Sequence, residues 1–202
     1  MLRYVAVGAA RLHVLGMVPH DAGAAQRIGA TLASLAPERV EVAMSVAEWD
    51  ALLADPARLT PYEARLYDLL VPLGLCPVAP NAAYAAVARW AVENGRTVQP
   101  VLSTEPPLLP KGRKGLKGLD KLLKQEGFDA ASPEAAAARL RDLYVARLPD
   151  LAAPLAVRWA ETAKRVAARA RADPRRTVVV APEPFAAEMA DRLRNASASK
   201  RP

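Results

Sequence analysis

Sulfur and imidazole are scarce in this chain. Its 202 residues hold one cysteine, Cys76, and two histidines, His13 and His20. That excludes a disulfide framework, and a zinc centre built from clustered Cys and His ligands with it. Aromatic residues make up only 5% of a chain that is 52% apolar, much of it alanine. Close helix packing is therefore expected in place of a bulky aromatic core. The sequence also lacks a G-x-G-x-x-G, a P-loop lysine and a G-x-S-x-G elbow, so no motif supports nucleotide binding or serine hydrolysis.

Long uninterrupted apolar runs are missing too. No charged residue occurs from Leu69 to Ala88, but Pro72, Gly74, Pro77 and Pro80 fall inside that stretch. Prolines so spaced would break a helix in lipid, so the stretch reads as helix end, loop and helix start, with no transmembrane segment. The first residues carry no apolar h-region with a cleavage site. A soluble, cytoplasmic protein is expected.

What is present is charge, unevenly spread. Residues 1–110 hold 8 Lys and Arg against 10 Asp and Glu, and residues 111–202 hold 20 against 11. The formal net charge is +7. Such asymmetry hints at an anionic partner, nucleic acid or acidic protein, for the second half. Its densest part is 111–124, "KGRKGLKGLDKLLK", with Lys111, Arg113, Lys114, Lys117, Lys121 and Lys124 against one acid. Leu116, Leu119, Leu122 and Leu123 give the segment a helical apolar side, making it a basic amphipathic helix after a glycine-rich arm. Arg158, Arg165 and Arg169 share one face of a later helix. No aromatic stacking pattern accompanies these charges.

The order of elements predicts an α/β fold: a mostly parallel sheet, an N-terminal β-hairpin, and a large helical segment between the last two strands. Residues 2–7 and 11–16 pair around Gly8-Ala9-Ala10. Asp21 is placed to cap a helix with Ala25, Ile28, Leu32 and Leu35 on its apolar side, stopped by Pro37. A strand follows, with Val40, Val42 and Met44 on one face. Capping boxes at Ser45/Glu48 and Thr60/Glu63 open two helices, the first presenting Trp49, Leu52 and Leu53. Asn81 is placed to cap a helix carrying Tyr84, Val87, Ala88 and Ala91, which ends at Asn94-Gly95. Residues 97–102 form a short strand. The 103–176 stretch is mainly helical, and its last helix turns Trp159, Ala163, Val166 and Ala170 inward. "TVVVA" at 177–181 is apolar throughout and reads as a central strand. Pro184 begins a final helix with Phe185, Met189 and Leu193. A single domain over 1–195 with a disordered tail at 196–202 is expected.

In an open parallel sheet, ligands sit beyond the carboxyl ends of the strands. The polar residues placed there are His20, Asp21, Glu105 and Glu183, a set able to do acid/base work or hold a divalent metal. Each also has a plain structural reading: Asp21 as a helix cap, the others as exposed loop residues.

The segment order resembles the TraB/PrgY/GumN/TIKI group, of the EreA/ChaN-like type. "LHVLGMVPHD" resembles that group's G-[ST]-x-H motif, with Gly16 retained, Pro19 at the histidine position and His20 one place late. "APERVEVAM" resembles its P-D-x-V-x-V-E strand, with Ala43 at the glutamate position. "AYAAVARWAVENGRTVQPVL" resembles its third motif, with Leu102 in place of the acid. Arg158 in "VRWAETAKRV" corresponds to the arginine of E-R-N, with Val157 for the glutamate, and Glu183-Pro184 occupies the turn of V-V-G-x-G-H. The resemblance implies a shared scaffold. The hydrolytic site thought to belong to the group has lost most of its reactive groups here, since alanine, proline and leucine neither bind metal nor move protons.

Three functions stay open at this point. The leading one is a catalytically degenerate domain, without cofactor or metal, that acts by binding or assembly, including self-association. The second is a divergent hydrolase rebuilt from His20, Asp21, Glu105, Arg158 and Glu183. The third is a nucleic-acid or anionic-surface binder using the 111–124 segment.

Overall fold

The computed structural model describes residues 1–18, 22–57, 81–102, 149–183 and 185–198, with single helical positions at 121, 135, 138, 139, 142 and 146. The protein is an α/β fold around a five-stranded, mostly parallel sheet that opens with an antiparallel hairpin. Strand β1 (Leu2–Val7) turns through Gly8-Ala9 into β2 (Ala10–Met17), with Val7 opposite Ala10. Gly8 has φ +60° while Ala9 does not enter the positive region. A glycine at the first turn position is what a two-residue type II′ hairpin requires.

Helix α1 (Ala22–Leu35) crosses to β3 (Arg39–Val42), and α2 (Val46–Ala54) follows. Ala36 takes up a left-handed conformation at φ 41°, its N–H bonding to the Leu32 carbonyl, and Pro37 then prevents continuation. Helix α3 (Ala82–Glu93) leads to β4 (Val98–Pro100). The long helix α4 (Pro149–Ala172) precedes β5 (Thr177–Pro182), and α5 (Phe185–Ala198) closes the described chain. That last helix includes residues 196–198, which the sequence assigned to the tail.

The strand order is β1-β2-β5-β3-β4. β5 therefore sits at the centre, parallel to both β2 and β3, with Leu15 level with Val180 and Val40 level with Val178. One face carries Leu15, Met17, Val40, Val42, Val178 and Val180 against α1, α2 and α3. The other carries Val5, Val7, Leu12, Val14 and Val179 against α4 and α5. Two helical layers thus cover a sheet whose inner strands are buried on both sides. Among the described residues no helix is long and apolar enough to cross a membrane.

Several local expectations are corrected. The α1 stripe is Ala24, Ile28 and Leu32, with Ala25 only half-buried. In α2 Trp49 and Leu52 are buried while Leu53 faces solvent. Asn81 lies in the left-handed region at φ 54° and makes no side-chain cap hydrogen bond to α3. β4 is shorter than 97–102, although Val101 and Leu102 continue as backbone donors to Val42 and Met44 at 3.0 Å. The Thr60/Glu63 capping box, Cys76 and residues 103–120 lie outside the described residues.

Candidate functional site

The topology itself selects a place. β2 and β5 are parallel neighbours, yet β2 feeds α1 on one face of the sheet and β5 feeds α5 on the other. Adjacent strands whose exits diverge leave a crevice at their carboxyl ends, the usual ligand position in open α/β sheets. In this chain the crevice lies between Gly16-Met17-Val18 and Pro182-Glu183.

Glu183 fills it. Its backbone N–H donates to the Met17 carbonyl at 2.7 Å, fixing the turn that leads into α5. Its carboxylate lies over Gly16, so close that a Cβ there would come within 1.7 Å of Oε2. Arg3 on β1 reaches across and grips both oxygens, Nη2 to Oε1 at 2.6 Å and Nη1 to Oε2 at 3.0 Å. The two side chains are 15% and 8% exposed, so this is a two-point, largely desolvated pair. The Met1 amine stands 3.9 Å from Oε2 and donates to the Gly16 carbonyl at 2.7 Å.

A second ion pair lies where β3 gives way to α2. Ser45 caps α2 through a full capping box: its hydroxyl accepts from the Glu48 N–H at 3.2 Å, and Glu48 accepts from the Ser45 N–H at 2.6 Å. The same Glu48 carboxylate takes Arg158 Nη2 of α4 at 2.9 Å. The next residue, Trp159, is buried in the layer that holds Ala43, Val101 and Ala181 and stacks on Phe185, ring centroids 4.6 Å apart. Among the described residues its indole N–H has no acceptor, and neither does Arg158 Nε.

The third polar cluster was not anticipated from sequence. Arg39 and Glu41 alternate with Val40 and Val42, a pattern that reads as a strand with one solvated side. All four are buried. Glu41 is 1% exposed; its Oε1 accepts from Arg169 Nη1 of α4 at 3.2 Å, and Arg39 Nη1 stands 3.9 Å away. Arg169 also donates to Gln99 on β4 at 3.2 Å. Arg39 in turn pairs with Asp173, which Arg175 also holds. Glu41 Oε2 has no hydrogen-bond partner among the described residues. Burial pushes the Glu41 carboxyl up, against the opposing pull of Arg169 and then Arg39. Asp173 is held below the usual carboxylate range, first by its hydrogen bond from Arg175 and then by the charges of Arg175 and Arg39. The recoverable signal was an Arg/Glu-bearing strand in an interior position with an arginine-rich helix later in the chain.

Of the five residues considered for catalysis, Arg158 and Glu183 are described, and they do not pair with each other: Arg158 binds Glu48 and Glu183 binds Arg3. His20, Asp21 and Glu105 lie outside the described residues, as do Lys111, Arg113, Lys114, Lys117 and Lys124. Lys121 is helical and exposed. Of the three arginines placed on one face of α4, Arg158 and Arg169 are engaged by carboxylates and Arg165 is exposed. Ala43 and Leu102, at positions where the resembled pattern carries acids, are buried. His13 is half-buried in β2 against Tyr4, centroids 5.4 Å apart, and burial, with the charge of Arg176, lowers its pKa. Among the described residues no three His, Cys, Asp or Glu side chains lie close enough to hold a metal ion.

No protein-family model matches this chain, and no curated protein matches it.

Proposed function

We propose that this chain is a catalytically degenerate α/β domain of the TraB/GumN-like type, acting by binding or assembly. The observation that carries the reading is the state of its strand ends. The carboxylate at the β2/β5 crevice is neutralised by Arg3, and Arg158 by Glu48, while Ala43 and Leu102 place buried carbon where the pattern calls for acids. A general acid or base must reach a substrate proton with a free lone pair or hydrogen. A hydrolytic centre rebuilt around His20 would need Arg158 and Glu183 to converge on it, and each serves a different ion pair.

The balance of 20 basic to 11 acidic residues over 111–202 makes nucleic acid the first partner class to test. A cytoplasmic location accompanies this reading, since a lone cysteine calls for no oxidising compartment.

Metal analysis of the full chain, purified after growth with zinc and manganese, tests the degenerate reading. Substoichiometric metal, unchanged by His20→Ala, is the expected outcome. One zinc or manganese per chain, lost in that variant, overturns it. The partner class is tested by a gel shift at two salt concentrations with Lys114, Lys117 and Lys121 changed to Glu. Binding should weaken with salt and with the substitutions; absence of any shift rejects nucleic acid, and a shift indifferent to both rejects the 111–124 segment as its site.

A further inference from the structure

The Glu183 carboxylate occupies the place that fold topology reserves for a ligand. Three features there are those of a carboxylate receptor. Arg3 offers two N–H groups side by side, at 2.6 and 3.0 Å from the two oxygens, the fork geometry by which guanidinium recognises a planar carboxylate. Gly16 supplies a floor with no Cβ; one added there would come within 1.7 Å of Glu183 Oε2 and 2.9 Å of the Ala186 Cβ, and so would push the carboxylate out of place. The position is screened from water, with the guanidinium 15% and the carboxylate 8% exposed.

The backbone at this point is fixed independently of the carboxylate. Glu183 N–H is bound to the Met17 carbonyl at 2.7 Å, and Ala181 and Pro182 are in register with Gly16 and Met17. Removing the Glu183 side chain therefore leaves this backbone bond and the strand register in place.

We propose that Arg3 and Gly16 form a carboxylate-binding position at the β2/β5 switch point, which the chain fills with its own Glu183. The crevice is self-liganded. A carboxylate carried by a ligand that makes further contacts beside the crevice enters by displacing the Glu183 side chain into solvent and taking both N–H groups of Arg3. Because the resident carboxylate is tethered, its effective concentration is high and weak free acids do not compete with it. This assignment stands on Arg3, Gly16 and Glu183 alone and goes beyond the loss of catalysis.

The test is chemical rescue on the full chain. Glu183→Ala empties the position, and sodium acetate is compared with sodium chloride at equal ionic strength. Acetate at several times its dissociation constant should raise the melting temperature of the variant by about 2–4 °C relative to chloride. It should leave wild type, and Arg3→Met combined with Glu183→Ala, unchanged. In amide NMR the Gly16 resonance of the single variant should shift and saturate with acetate. Acetamide, which lacks the charge, should do neither. Where Glu183→Ala is unfolded in chloride, the comparison is made on refolding, which acetate must restore and chloride must not. Equal response of all three proteins to acetate, or no response of Glu183→Ala by either measurement, overturns the proposal.

Discussion

Gly16→Ala is the most direct probe of the strand-end crevice. Gly16 has no positive φ to protect, so alanine meets no backbone objection, and by stiffening the unfolded chain it would ordinarily stabilise by about 0.4–1 kcal/mol. The added methyl instead meets Glu183 Oε2 at 1.7 Å, Glu183 Cδ at 2.9 Å and Ala186 Cβ at 2.9 Å. The carboxylate is the end of a flexible side chain and gives way, forfeiting both hydrogen bonds to Arg3. Losing hydrogen bonds between charged, largely buried groups costs about 1.5–3 kcal/mol, and crowding against the first turn of α5 adds about 1 kcal/mol. The net loss is about 2–3 kcal/mol, or a melting-temperature drop of about 5–10 °C for a chain of this size. Urea denaturation of a four-member cycle with Glu183→Ala isolates the cause. Without the carboxylate the same methyl should cost only about 1 kcal/mol or less, leaving a coupling of about 2 kcal/mol between sites 16 and 183. Equal cost in both backgrounds would refute the account of Gly16 as the floor of a carboxylate position.

Three further outcomes follow from the other two clusters. Glu41→Gln should gain stability relative to wild type as pH rises from about 4 to about 7: a buried acid with a raised pKa binds its proton more tightly folded than unfolded, so the wild-type contribution falls as pH climbs above the ordinary 4.5. Urea curves at the two pH values check this, and a pH-independent difference between the proteins contradicts it. Ser45→Ala should cost about 1 kcal/mol by removing the α2 cap, and Glu48→Ala about 2–3 kcal/mol because it also strands the Arg158 guanidinium; equal losses in denaturation would separate Glu48 from Arg158. Arg169→Ala should cost about 1–2 kcal/mol, since it takes a donor from buried Glu41, whereas Arg165→Ala on the same helix should stay within about 0.5 kcal/mol. Thermal melts of the two variants decide it, and indistinguishable melts would deny α4 its polar anchor to β3.

The framework was legible wherever one residue type admits one conformation or one environment. Gly8 set the hairpin turn, the unbroken apolar run of 178–181 announced a strand covered on both faces, and Ser45/Glu48 marked a helix start that the structure reproduces as a full capping box. Alanine defeated phase assignment in α1, because Ala24 and Ala25 look alike to a periodicity and only packing distinguishes them. Leu53 shows the converse, an apolar residue on α2 that is left exposed among the described residues. The polar clusters were opaque for a different reason. Whether Glu41 meets water depends on Arg169, 128 residues on, and whether Glu183 is reactive depends on Arg3, 180 residues back. No local pattern contains such pairings.

The central position of β5 has a consequence for biosynthesis. Both of its neighbours, β2 and β3, are made well over a hundred residues earlier, and neither can reach the other until β5 arrives to lie between them. Until then the nascent chain holds the β1–β2 hairpin and the β3–β4 pair as two fragments with an open edge apiece, a condition that invites wrong pairing. Sheet closure must therefore wait until Pro182 has left the ribosome tunnel, so the strand that joins the two fragments is the last of the described strands to be made.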